Sequence, residues 1–282
     1  MQSGKFLNIN GKLFPASQPN FFHTNRALRY GDGLFEGIRI LNGEFLFYND
    51  HFERVTNGMK ALQIIPSDDF TPAFLYKNIC DLLIANKNNG NAIIRLQVYR
   101  GGEGLYEPEN NLAQFFIESF EAQNYFFNES ENLSIDIFTE WKKERTPAMN
   151  FKTCNAQVYI MASIWKKKNN MGDVLILNSD VDVADATSSN VFIVKDEKIF
   201  TPALSSGAVG GVVRKNLIAF LKTENISVEE KIISTVEIIS ADEIFLTNVS
   251  KGIRSITSCG EKKYGHAQTK VIAAKFYQSL AK

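Results

Sequence analysis

Between Met149 and Phe192 the chain reads MNFKTCNAQVYIMASIWKKKNNMGDVLILNSDVDVADATSSNVF. It puts a lysine, Lys152, at the head of an amphipathic helix, follows it with an apolar strand and a turn, and brings in an acid, Asp185, that leads into a second strand. Met161, Ile164 and Trp165 follow Val158 at i+3, i+6 and i+7, which gives the helix an apolar face to anchor it. Val174 to Leu177 reads as a buried strand, and Ser-Asp-Val-Asp after it turns the chain back to Val183-Ala184-Asp185. That order brings one lysine and one carboxylate within reach of a single pocket. Taken from the residues alone, it is a two-part α/β enzyme.

Earlier in the chain, Phe6 to Phe14 predicts a hairpin about Asn10-Gly11, a pair that favours the backbone angles of a tight turn. The stretch from Arg26 to Arg39, RALRYGDGLFEGIR, carries glycines at 31, 33 and 37 but is followed by an alternating strand, Phe35 to Ile40, where a dinucleotide loop needs a helix. The glycines then serve close backbone packing. Asn49 to Arg54 opens a helix with Phe52, Val55, Met59 and Leu62 on its apolar side. Thr71-Pro72 supplies an N-cap and a first-turn proline for the next helix. Ala92 to Arg100 alternates, with Ile94, Leu96 and Val98 on one face and Ile93, Arg95, Gln97 and Tyr99 on the other, which lines a polar cavity or faces solvent. A glycine-rich loop follows from Arg100 to Pro108, then a strand from Ala113 to Ser119. Residues 121–132, EAQNYFFNESEN, are the expected linker between an N-terminal domain, 1–120, and a C-terminal one, 133–282. Ser205 to Arg214, SSGAVGGVVR, delivers backbone N–H groups to a helix start, a physical anion site.

Charge narrows the function classes. Lys plus Arg equals Asp plus Glu at 31 each, with no long run of one sign, so neither nucleic acid nor a membrane surface is an expected partner. The three cysteines, Cys80, Cys154 and Cys259, are odd in number and far apart, which suits a reducing, cytoplasmic setting. No signal-peptide pattern opens the chain, and no stretch approaches the roughly 20 apolar residues of a spanning helix. The three histidines are scattered, without metal-ligand spacing.

The run K-T-x-N, then V-L-I-L-N, V-A-D-x-T-S-S-N-V-F-I-V and T-P, together with YGDGLFEGIR, resembles the class IV aminotransferases, the fold-type IV enzymes that use pyridoxal 5′-phosphate. The resemblance covers most of the chain. It implies a small N-terminal and a larger C-terminal α/β domain with the cofactor between them, a homodimer, and small amino-acid and keto-acid substrates. It implies that Lys152 carries the cofactor and acts as acid and base, and that Asp185 faces the pyridine nitrogen. An ordinary surface lysine is the reading that Lys152 would otherwise receive. Arg54, by itself an exposed helix charge, matches the arginine of an H-x-x-R pattern that contacts the phosphate. Val212 and Val213 match the glycine-loop amides at the phosphate, and Val249 and Ser250, in the turn from Asn248 to Arg254, match a second phosphate turn. Tyr30 and Phe35 match substrate-pocket aromatics placed partly across a dimer interface, and Arg95, Arg100 and Tyr106 are further substrate-side candidates.

This chain departs from the family pattern in several places. Asp185 stands where glutamate is usual, and Ala156 or Gln157 where branched-chain enzymes have a tyrosine, with Tyr159 one turn later. Val213 and Val249 lack the hydroxyls common at the phosphate. Leu105 stands where D-amino-acid and lyase members carry an arginine in the loop. The expected function is transamination between an α-amino acid, with branched-chain ones favoured, and 2-oxoglutarate. The alternatives are aminodeoxychorismate lyase and a non-catalytic cofactor-binding protein.

Overall fold

The computed structural model describes residues 4–18, 23–123 and 133–280. The chain divides into two compact units: Met1–Phe126 with Phe151–Asn155, and Phe127–Asn150 with Ala156–Lys282. The short segment that holds Lys152 therefore counts with the first unit, although its chain neighbours on both sides belong to the second. Of the expected linker, residues 124–132 lie outside the described residues, and Glu121 is the last residue of a strand.

The first unit is built from β1 (Phe6–Ile9), β2 (Lys12–Pro15), α1 (Arg26–Tyr30), β3 (Gly33–Leu41), β4 (Glu44–Phe45), α2 (Tyr48–Ala61), α3 (Pro72–Ala85), β5 (Ala92–Arg100) and β6 (Ala113–Glu121). Its strands form a six-stranded antiparallel sheet in the order β2-β1-β6-β5-β3-β4. The hairpin turns at Asn10 and Gly11, with φ of 49° and 85°, and Ile9 opposes Lys12, the two-residue geometry that the Asn-Gly pair predicts. Thr71 caps α3 by accepting from the Phe74 amide. Helices α2 and α3 press Val55, Met59, Leu75, Ile79 and Leu82 onto the Ile94, Leu96 and Val98 face of β5, and this is the unit's core. The other face of β5 is not a solvent face, since Gln97 and Tyr99 are buried as well.

The second unit contains β7 (Leu133–Lys143), α4 (Gln157–Lys168), β8 (Asp173–Asn178), β9 (Val183–Ala186), β10 (Asn190–Lys195), β11 (Lys198–Pro202), α5 (Val212–Thr223), β12 (Val228–Lys231), α6 (Thr235–Ser240), β13 (Glu243–Asn248), β14 (Gly252–Cys259), β15 (Lys262–Lys263) and α7 (Ala267–Leu280). The sheet order is β12-β11-β10-β13-β14-β7-β8-β9, with β15 on β14. Strands β14, β7 and β8 run parallel, the connection from β7 to β8 passing through α4. Every residue of β8 and β9 is buried, as their apolar composition requires of strands covered on both faces. Helix α4 differs from its expected face. Ala162 is its buried residue, with Val158, Met161 and Trp165 packed beside it on Phe138, Val174 and Ile176, whereas Ile164 is exposed. Lys152 is also not at the head of that helix, which begins at Gln157.

Candidate active site

In the first unit, the segment around Lys152 is stitched to the start of β3. The Phe35 amide donates to the Lys152 carbonyl at 2.8 Å, the Cys154 amide donates to the Gly33 carbonyl at 2.9 Å, and Thr153 bridges Leu34. These bonds fix the backbone on both sides of the lysine. Its Nζ lies 4.6 Å from the centre of the Phe35 ring, and the Arg95 guanidinium lies 4.3 Å from the same ring. Arg95 donates to Gln97 Oε1, and Gln97 donates to Cys154 Sγ, so the polar side of β5 connects the arginine back to the lysine segment. Burial pushes the Cys154 thiol up, which favours its protonated form.

Arg100 and Arg54 have other partners. Arg100 donates to Asp32, Asn111 and the carbonyls of Leu62 and Gln63, so its fork holds the base of the glycine-rich loop together. Arg54 grips the buried Glu36 through Nε and Nη2, both at 2.7 Å, while His51 Nδ1 stands 2.8 Å from the same carboxylate. Burial alone would raise the Glu36 carboxyl, but Arg54 and His51 outweigh it and bring it down to about 2.

Tyr30 and Tyr106 meet at 5.7 Å between ring centres. The residue that assembles this region is Arg26, which sequence reasoning passed over. Buried at 4 % exposure, it ion-pairs with Asp32, packs on the Tyr30 ring and donates to the carbonyls of residues 103–106. Its position as the first residue of RALRYGDG was the only signal available.

In the second unit, Asp185 lies in β9 with 2 % of its side chain exposed, and four groups of the chain converge on it. Lys143 Nζ and the Tyr159 hydroxyl each donate to Oδ2 at 2.8 Å, Asn190 Nδ2 donates to Oδ1 at 3.1 Å, and the Val209 amide donates to both oxygens at 3.2 Å. Burial, and then the charge of Asp185, push the Tyr159 phenol well above its usual value, so it stays a neutral donor. Asn190 also donates to the Val209 carbonyl, and its Oδ1 occupies the place that a Cβ on Gly211 would take. The acid and the glycine loop are thereby locked together.

Gly211 is the N-cap of α5, and no side chain caps that helix. The amides of Val212 and Val213 open the helix, where the dipole favours an anion. In the turn between β13 and β14, Asn248 Oδ1 accepts from the Ser250 and Lys251 amides, so Ser250 spends its main-chain donor inside the turn beside Val249.

The sequence profile of the amino-transferase class IV family matches residues 33–259. The chain belongs to that family. With it, the protein is an enzyme dependent on pyridoxal 5′-phosphate. A probable branched-chain-amino-acid aminotransferase of Rickettsia typhi is 26 % identical over 268 residues, covering 92 % of this chain and 90 % of the relative. An aminodeoxychorismate lyase of Vibrio harveyi is 26 % identical over 238 residues, covering 83 % and 85 %. A D-alanine aminotransferase of Listeria monocytogenes is 27 % identical over 279 residues, covering 96 % and 93 %. Among solved structures, a branched-chain aminotransferase of Thermoproteus uzoniensis superposes with a TM-score of 0.88 at 22 % identity, covering 98 % of this chain and 94 % of that one. The α/β fold of this class IV enzyme is thus the one expected from its motifs.

Proposed function

We propose that this enzyme moves an amino group between an α-amino acid of the branched-chain type and 2-oxoglutarate, with Lys152 as the catalytic residue. The observation that carries the reading is the placement of Lys152 and Arg95 against one ring, Phe35, at 4.6 and 4.3 Å. A carboxylate entering a partly dry site needs charge-assisted hydrogen bonds to replace its hydration, and an arginine fork beside the catalytic lysine supplies them. Arg95 suits this role better than Arg100, whose donors are spent on Asp32, Asn111 and two carbonyls.

The residues present fit the cofactor. The uncapped start of α5 offers the Val212 and Val213 amides to its phosphate, and the lock through Asn190 and Val209 keeps Asp185 at a set spacing from that helix start. Arg54, whose fork closes on Glu36, and Val249 and Ser250, of which Ser250 gives its amide to Asn248, belong to the phosphate side by the family pattern alone. When bound, the cofactor supplies an electron sink for the pair left behind as a substrate's α-proton departs. Lys152 Nζ would be the base that takes that proton from the substrate's Cα and the acid that gives it back. Arg95 holds the distal carboxylate of 2-oxoglutarate or glutamate, and Tyr30, Phe35 and Tyr106 border the substrate.

The similarity to an aminodeoxychorismate lyase, at the same 26 % identity as to the branched-chain relative, supports elimination as the second reading. The homodimer belongs to the proposal too. Leu28 on α1, and Leu105 and Tyr106 on the loop that Arg26 ties to that helix, are exposed at 74, 73 and 89 %, apolar groups of the kind that a second copy covers. We infer a cytoplasmic enzyme from its three free cysteines, and a domain boundary within 121–132.

Single-turnover assays with Arg95→Ala test the reading. The half-reaction with glutamate should lose about 2 kcal/mol or more of transition-state stabilisation, while that with leucine is spared. Equal losses with both substrates would remove Arg95 from the distal carboxylate, and pyruvate release from aminodeoxychorismate would move the choice to the lyase.

A further inference from the structure

Glu118 stands in the middle of β6, directly opposite Arg95 on β5, and on its other flank Arg95 faces Gly37 of β3. Partners in an antiparallel pair point to the same face with Cβ atoms roughly 5 Å apart, so the Glu118 carboxylate and the Arg95 fork are within reach of each other. Gly37 puts no side chain on the β3 flank, where the Lys152 ammonium also lies against Phe35. Among the described residues Arg95 forms no ion pair: its guanidinium rests on Phe35 and donates to Gln97, a neutral acceptor. Glu118 is half-buried between Phe116 and Phe120 of the same face and makes no hydrogen bond or ion pair among the described residues. Burial raises its carboxyl and Arg95 opposes that rise, which marks the two as electrostatic neighbours. One arginine thus has an acid on one side and no side chain on the other.

Transamination between an apolar amino acid and 2-oxoglutarate brings two side chains of opposite character into one site. Against an apolar side chain a lone arginine loses hydration and gains no counter-charge, whereas a distal carboxylate needs that arginine for itself. Resting on the role proposed for Arg95, we propose that Glu118 is a positioning residue that holds Arg95 when the substrate's side chain is apolar and yields it when the substrate brings its own distal carboxylate. In the first state Glu118 draws the fork toward β6, and in the second the substrate draws it toward Gly37. The acid sets the balance between the two substrate classes. It lowers affinity for dicarboxylates, which must displace it, and raises affinity for apolar side chains, which otherwise meet an uncompensated charge.

Calorimetric titration of the cofactor-loaded enzyme with two unreactive probes tests this, glutarate for the dicarboxylate class and 4-methylpentanoate for the apolar one. Neither probe carries an amino or keto group, so the readout is binding and not turnover. Glu118→Gln should bind glutarate roughly tenfold more tightly and 4-methylpentanoate several-fold more weakly, while Glu118→Asp, which keeps the charge, should keep the wild-type preference. A merely structural role moves both affinities the same way. In an Arg95→Ala background no fork is left to compete for, and adding Glu118→Gln should leave the ratio of the two affinities unchanged. Parallel changes with both probes in Glu118→Gln, or a shift of the ratio that persists in the Arg95→Ala background, would overturn the proposal. Glutarate binding by Arg95→Ala at wild-type strength would refute the role of Arg95 in the proposed function, and this proposal with it. Binding of neither probe by the wild type would refute the substrate classes of that function, again taking this proposal with them.

Discussion

Arg54 shows how one side chain can look alike in sequence and differ in its energetics. As a family match it reads as a phosphate ligand, and as an isolated helix residue it reads as solvated. In the structure its fork closes on Glu36, with His51 on the same carboxylate, inside the first unit. The pairing makes a prediction about acid stability. Glu36 has an ordinary value of 4.5 and is held at about 2 in the fold, so its contribution is complete above pH 4.5 and is lost as pH falls through the folded value. Over that interval the loss is about 3 kcal/mol. His51, whose value burial lowers from 6.5, adds to the same slope, because the unfolded chain takes up a proton before the folded one does. Chemical denaturation at a series of pH values should show stability declining from about pH 6.5 downward and falling more steeply below 4.5. Glu36→Gln should be less stable at pH 7 and lose the steep limb, whereas an unchanged limb would mean that the pair contributes nothing. None of this could be seen in the H-x-x-R pattern of α2, because the partner acid lies 18 residues earlier, on strand β3.

Helix α5 and the loop before it show what a motif can predict at the scale of an element. Glycines ahead of a helix start were legible as an anion site, and the structure places the uncapped amides of Val212 and Val213 there. The reason Gly211 must be glycine was not legible, since it lies in Asn190, whose Oδ1 fills the space of a side chain at that position. Gly211→Ala would push Asn190 off both Asp185 and the Val209 carbonyl. It should cost about 1–3 kcal/mol in thermal melts and weaken cofactor uptake in equilibrium titration. Gly210→Ala meets its nearest neighbour at an ordinary 3.5 Å and serves as the control, so equal tolerance of both changes would discount the lock. Strands read more easily than helix faces. The periodicity of β5 and the apolar run of β8 were visible directly, whereas Ile164 fits the apolar stripe of α4 and is nonetheless exposed. Helical spacing finds a stripe but not which of its edges the sheet covers.

At the scale of the whole molecule, the sequence motifs identified the family and its two-part α/β character, because both depend on local patterns that the chain displays in order. They did not reveal that Phe151–Asn155 joins the first unit, since that depends on hydrogen bonds to Gly33 and Phe35 more than a hundred residues away. The same bonds underlie the central claim, that Lys152 is the residue to which the cofactor is joined. Lys143, buried in the second unit, is the competing lysine beside Asp185, and its ammonium is committed to that acid. Borohydride reduction of the loaded enzyme, followed by peptide mapping by mass spectrometry, separates the two. The cofactor's added mass should fall on Lys152 and disappear in Lys152→Ala, and a label on Lys143 or any other lysine would overturn the assignment.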